Sequence, residues 1–182
     1  MNISLAIKQS TKILKDKFIP NPELDSEILM AKTIQKDRKY ILLNFNQSLS
    51  TKDLNKFNKL IEMRSLHNPV AHLTNKKFFW NAEFFVTKDT LIPRPDTELI
   101  IENVLSLTKQ KSKKKILDIG IGSGCILLSV LRERENFYGT GVDISKNCLN
   151  ITKINAINLK VNNRLKLYKS DVDKFNLGKY DL

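Results

Sequence analysis

Apolar residues recur at helical spacing through the first 74 residues. They do so in "SLAIKQSTKILKDKF", "NPELDSEILMAKTIQ", "DRKYILLN" and "STKDLNKFNKLIEMRSLH", which predicts a small all-helical domain. Pro22 suits a first helical turn, and Ser50 and Thr51 ahead of Asp53 offer a cap for the last helix. From residue 76 the pattern changes. "KKFFWNAEFFVT" places two aromatic runs around Asn81-Ala82 and predicts a β-hairpin. In "LIPRPDTELIIENVLSL", Pro93 and Pro95 stiffen an extended segment before a helix that opens near Asp96 and Thr97. The remainder alternates a strand, a glycine loop, a helix ("CILLSVLRERE"), a strand ("FYGTGVD"), a helix ("SKNCLNITKINAINL") and a strand ("RLKLYKSD"). Such alternation implies an α/β domain with a parallel sheet and crossover helices. The chain therefore reads as a helical domain over 1–74, a hairpin and Pro-rich linker over 75–95, and an α/β domain over 96–182.

Composition narrows the function classes. No apolar run approaches the roughly 18 residues of a membrane span, and the N-terminus lacks a continuous signal-peptide core. A cytoplasmic protein without a membrane partner is expected. The net charge of +12 invites a nucleic-acid reading, but the 31 basic residues divide into 25 Lys and only 6 Arg. Arg is the residue that reads bases and phosphates bidentately. The lysines are scattered, and only Lys111 with Lys113 to Lys115 forms a block, at the entry to "ILDIG". A solvated surface accounts for this better than a binding patch. Cys125 and Cys148 lack disulfide or zinc spacing and read as small buried hydrophobes. His67 and His72 are separated by Pro69 and do not share a helix face, so no metal site is assigned.

The chemistry concentrates in "KKKILDIGIGSGCILLSVL". Gly120, Gly122 and Gly124 follow a strand and start a helix, so backbone N–H groups can approach a ligand without Cβ interference. The spacing G-x-G-x-G differs from the dinucleotide fingerprint G-x-G-x-x-G and lacks the Lys-Ser/Thr ending of a P-loop. Asp118, two residues before the loop, would repel a pyrophosphate but attract a cationic amino acid or a sulfonium. Asp143, at the end of the next strand, can accept from ribose hydroxyls, and Asp171, after the third, can meet an adenine amino group. A positively charged nucleoside with an amino-acid tail fits these acids, which describes S-adenosylmethionine.

"LIPRPDTELI", "ILDIGIGSGCILLSVL" and "GVDIS" together closely resemble the HemK/PrmC family of peptide-chain release factor glutamine methyltransferases. The resemblance covers nearly the whole chain. It implies a Rossmann-like S-adenosylmethionine-dependent methyltransferase domain, a hairpin linker, and a helical domain that recognises the release factor whose GGQ glutamine is methylated. The family's cofactor loop carries over onto Gly120, Ile121, Gly122, Ser123 and Gly124, and its ribose-binding acid onto Asp143. Arg94, Pro95, Asp96 and Thr97, in the most specific motif present, become candidate substrate or pocket-lining residues. Val172 stands where an aromatic residue commonly packs the adenine. Asn68 replaces a usual Gly before the junction proline, a change that Asn's tolerance of positive φ makes mild. Relatives continue from a strand like "KYDL" into Asn-Pro-Pro-Tyr. Because this sequence stops at Leu182, no catalytic residue is assigned within it, the methyltransferase domain reads as incomplete, and the chain alone is expected to be inactive; a monomer is expected. A nucleic-acid amino-methyltransferase and a non-catalytic remnant remain alternatives.

Overall fold

The computed structural model describes all 182 residues, Met1–Leu182, as two compact units, Met1–Thr74 and Asn75–Leu182. In the first unit α1 (Ile3–Asp16), α2 (Pro22–Ile34), α3 (Arg38–Leu43), α4 (Thr51–Ser65) and α5 (Val70–Thr74) enclose one apolar core. Ile3, Leu14, Leu29, Met30, Ile41 and Phe57 are its most buried members. Pro22 occupies the first turn of α2. Ser50 caps α4, accepting the Asp53 N–H at 3.1 Å and donating its hydroxyl to the Asp53 carboxylate at 2.7 Å. Arg64 pairs with Asp25 at 2.7 Å and ties α4 to α2 across a nearly dry contact. The positive φ near the family junction falls on His67 (+64°), not on Asn68 as the residue types suggest. The His67 N–H accordingly turns back onto the Arg64 carbonyl at 2.9 Å, closing α4 in the manner of a C′ residue. No helix is long and apolar enough to cross a membrane.

The second unit opens with the hairpin, β1 (Lys76–Phe79) against β2 (Ala82–Phe85). Its two-residue turn is Trp80-Asn81, one position earlier than the aromatic pattern suggests. Both turn residues take positive φ, +43° and +54°, which a two-residue hairpin turn of this hand demands and which Ala82 would resist. Trp80 is held there from two sides. Its backbone N–H donates to Glu98 Oε1 at 2.9 Å, and its indole N–H donates to Glu133 Oε1 at 3.0 Å.

Three parallel strands follow in the order β3 (Lys114–Ile119), β4 (Phe137–Asp143), β5 (Leu165–Lys169). They alternate with α6 (Glu98–Leu107), α7 (Cys125–Glu133) and α8 (Lys146–Asn158) in a Rossmann-like arrangement. The segment "PDT" forms a 3-10 turn, Pro95–Thr97, before α6 begins. Asp181 N–H donates to the Lys115 carbonyl at 2.8 Å, and Leu117 N–H donates to the Leu182 carbonyl at 2.9 Å. Residues 181–182 thus run along the edge of β3 away from β4. β3 therefore has chain on both of its sides, β4 on one and residues 181–182 on the other.

Glu98, the last residue of "PRPDTE", thus anchors the hairpin turn. Glu98→Ala should lower the unfolding free energy by about 1–3 kcal/mol, the usual range for leaving a partly buried donor unpaired, whereas Glu98→Gln, which keeps an acceptor, should restore most of it. Urea denaturation of the three proteins decides this, and equal midpoints would contradict the assigned role.

Candidate functional site

The loop between β3 and α7 takes its shape from three glycines in left-handed conformations, with φ of +74°, +56° and +79° at Gly120, Gly122 and Gly124. They serve different needs. A Cβ on Gly124 would lie 2.8 Å from Leu128 Cδ1 and 2.9 Å from Thr152 Cγ2, so this position needs glycine for packing as well as for φ. A Cβ on Gly120 would meet nothing within 4 Å, leaving open space above a backbone that only glycine adopts readily. Ile121, between them, is buried and turns down onto β4, where Gly141 leaves room for its side chain. The N–H groups of Gly120 and Ile121 both reach the Val142 carbonyl, at 2.8 and 3.1 Å, and fasten the loop to the end of β4.

Asp143 ends β4 and is 9% exposed. Its Oδ2 accepts the Gly122 N–H at 3.0 Å, and its Oδ1 accepts the Ser145 N–H at 2.8 Å. Each oxygen keeps a lone pair for a further donor. Asp118 lies near the end of β3 opposite Gly141. Burial pushes its carboxyl up to about 6, opposed by the Leu127 amide at the start of α7 and reinforced by the neighbouring Asp143 charge. The structure thus brings Asp118, the Gly120–Gly124 loop and Asp143 together at the carboxyl ends of adjacent strands. Burial also pushes the Cys125 thiol up to about 11, so it is unreactive at neutral pH. Cys125 is only half-buried, less than its apolar setting suggests, while Cys148 is buried.

Other predicted residues are arranged differently. Asp171 is exposed after β5 and accepts the Asp173 N–H at 3.1 Å, capping the 3-10 turn Val172–Lys174. Val172 is 50% exposed. Arg94, Pro95 and Asp96 are exposed and Thr97 is half-buried. No hydrogen bond joins these four to the glycine loop; Thr97 N–H closes back on the Arg94 carbonyl at 3.1 Å.

Two residues of the site escape a reading by motif. Thr152 and Asn155 on α8 are fully buried. Thr152 Oγ1 donates to the Gly122 carbonyl at 2.8 Å, and Asn155 Nδ2 donates to the Ser123 carbonyl at 2.9 Å. The only trace in the sequence is a polar pair three apart inside the helix face that also carries Ile151 and Ala156.

The arginines are mostly engaged within the chain. Arg38 and Arg64 are ion-paired. Arg132 reaches the Asn81 carbonyl at 3.4 Å, and Arg134 and Arg164 satisfy carbonyls near the ends of α6 and α7. Arg94 is exposed, and its guanidinium makes no hydrogen bond or ion pair within the chain.

Two family models match the chain. Residues 6–74 match the family described as PrmC N-terminal domain, and residues 94–182 match Methyltransferase domain. A release factor glutamine methyltransferase from Leptospira interrogans is 38% identical over 159 residues, covering 87% of this chain and 56% of the relative. One from Buchnera aphidicola subsp. Acyrthosiphon pisum is 39% identical over 163 residues, covering 90% and 58%. The chain thus spans a little over half the length of these curated relatives. Among solved structures, a SAM-dependent methyltransferase from Geobacter sulfurreducens in complex with S-adenosyl-L-homocysteine is 27% identical over 45% of this chain and 31% of that one, with a TM-score of 0.38. With a PrmC N-terminal domain followed by a methyltransferase domain, and with this identity across nearly all of its length, the chain belongs to the release factor glutamine methyltransferase family.

Proposed function

We propose that this chain supplies the cofactor-binding and partner-binding parts of an enzyme that methylates the GGQ glutamine of peptide-chain release factors, in the cytoplasm, during the upkeep of translation termination. The observation that carries the cofactor reading is the pair of acids, Asp143 buried and Asp118 half-buried, flanking a glycine loop with open space above Gly120. S-adenosylmethionine fits this donor set. Its cationic amino-acid end suits Asp118, which would repel a phosphate; its ribose hydroxyls suit the free lone pairs of Asp143; and its backbone-facing side suits Gly120 and Gly122. Asp171 and Val172 border the adenine, with one carboxylate oxygen of Asp171 committed to its cap.

When bound, the sulfonium supplies an electrophilic methyl group: its S–CH3 bond breaks as an N–CH3 bond forms, and the amide nitrogen loses a proton. The acceptor is a carboxamide whose lone pair is delocalised into its carbonyl. Such a reaction depends mainly on orientation and electrostatics. Within this chain Asp118 and Asp143 orient and hold, and Arg94 to Thr97 border the substrate side. The helical unit, matched to the PrmC N-terminal domain, carries recognition of the release factor. The engagement of five of the six arginines in internal contacts argues against a nucleic-acid substrate.

Asp143→Ala should weaken binding of S-adenosylhomocysteine roughly ten- to hundredfold, as expected when a buried hydrogen-bonded carboxylate is lost. An unchanged dissociation constant by calorimetry would remove Asp143 from the site.

The raised Asp118 value yields a second expectation. The folded protein holds this proton more tightly than the unfolded chain does, so the group's contribution to stability falls as pH rises from about 4 to about 6 and stays unfavourable above that. Affinity for a cationic ligand runs the other way, present above about pH 6 and lost below it. Asp118→Asn should therefore raise the melting temperature of the ligand-free protein at pH 7.5 more than at pH 5 and weaken S-adenosylhomocysteine binding at pH 7.5. A melting temperature that drops equally at both pH values would contradict this role.

The chain should bind a release factor and show no affinity for duplex DNA. DNA binding that weakened steeply with salt would instead favour a nucleic-acid substrate.

A further inference from the structure

Asn155 and Thr152 are the polar exceptions on the inward face of α8, and both have 0% exposure. Fully buried polar side chains persist where their hydrogen bonds are satisfied, and here the partners are specific. Asn155 Oδ1 accepts the Phe85 N–H at 2.7 Å, while its Nδ2 donates to both the Phe85 and the Ser123 carbonyls at 2.9 Å. One side chain therefore clasps both main-chain groups of a β2 residue and one carbonyl of the glycine loop. Phe85 stands opposite Lys76, the first residue of β1.

The grip on the loop has a directional effect. All peptides are trans, so a carbonyl and the N–H of the next residue point opposite ways across each peptide plane. Thr152 holds the Gly122 carbonyl on α8 at 2.8 Å and thereby turns the Ser123 N–H away from the helix, where it meets no acceptor within the chain. Ser123 is only 3% exposed, so its N–H is an unpaired donor in a buried residue, the kind of group that a bound ligand can satisfy.

We propose that Asn155, assisted by Thr152, is a positioning residue that locks the Gly120–Gly124 loop in its ligand-binding shape and ties that shape to β2, so that filling the loop also steadies the hairpin. This rests on the S-adenosyl reading of the loop. Because Phe85 N–H donates to Asn155 itself, the exchange rate of that single amide reports the latch.

The test combines calorimetry with residue-resolved hydrogen exchange on the full chain and S-adenosylhomocysteine. In the unmodified protein, saturating ligand should slow exchange at Phe85 by roughly fivefold or more, as a coupled local opening requires. Asn155→Ala should weaken binding about tenfold, the effect of one lost buried hydrogen bond, and should make Phe85 exchange insensitive to ligand. A residue that only supported the fold would lower the melting temperature without removing that ligand dependence. Thr152→Val, which keeps the hairpin clasp but releases Gly122, should weaken binding several-fold and leave the Phe85 response in place. Phe85 exchange in the unmodified protein that ignores saturating ligand, or a folded Asn155→Ala protein with unchanged affinity, overturns the proposal. If Asn155→Ala does not fold, unchanged affinity in Thr152→Val overturns it. Failure of the unmodified chain to bind S-adenosylhomocysteine would instead defeat the cofactor reading, and this inference with it.

Discussion

The Asp143 carboxylate is the interaction on which the rest of the site depends. It accepts one N–H from Gly122, in the loop that follows β3, and one from Ser145, whose side chain caps α8. A single side chain thus sets the height of the glycine loop against β4 and the starting point of the helix that grips the loop from behind. The parallel register aligns Ile119 with Val142, and both Gly120 and Ile121 bond to the Val142 carbonyl. The loop has little freedom left except in the direction that faces open space. Backbone donors fixed in this manner need no reorganisation when a ligand arrives.

This arrangement carries a stability cost. Two acids lie at neighbouring strand ends, and the burial of Asp118 raises its carboxyl to about 6. At neutral pH the ligand-free protein holds a carboxylate that its surroundings disfavour, a penalty that the proposed cationic ligand would offset. Trading stability for function in this form is common where a site is built before its ligand arrives. The left-handed residues nearby follow the same logic. Trp80 and Asn81 hold an uncommon backbone because Glu98 and Glu133 secure the turn from outside the hairpin.

Local features of the sequence foretold much of this. "FYGTGVD" coincides with β4, and the order of strand, loop and helix placed Asp118, Gly120–Gly124 and Asp143 at strand ends. These features rest on short-range rules of periodicity and backbone conformation. What stayed hidden depends on partners distant in the chain. Asn155 is 70 residues from Phe85, and Trp80 is 18 residues from Glu98 and 53 from Glu133. A polar residue in a helix carries no mark of the carbonyl it will meet. Aromatic spacing puts the hairpin turn one residue late because it does not reveal which two positions take positive φ, and residue type likewise favours Asn68 where His67 takes the left-handed conformation. The sequence shows how few of the basic residues are arginines, but the internal pairing of Arg64, Arg134 and Arg164 appears only in three dimensions.

We propose that the Gly120–Gly124 loop and Asp143 form one preorganised S-adenosyl site. An amide chemical-shift titration of the isotope-labelled chain with S-adenosylhomocysteine tests it most directly, because each loop residue has its own N–H signal. Saturable shifts are expected, largest at Gly120, Gly122, Ser123 and Gly124 and at Ile144 and Ser145 beside Asp143. Shifts concentrated in the helical unit, or none at millimolar ligand, would contradict it.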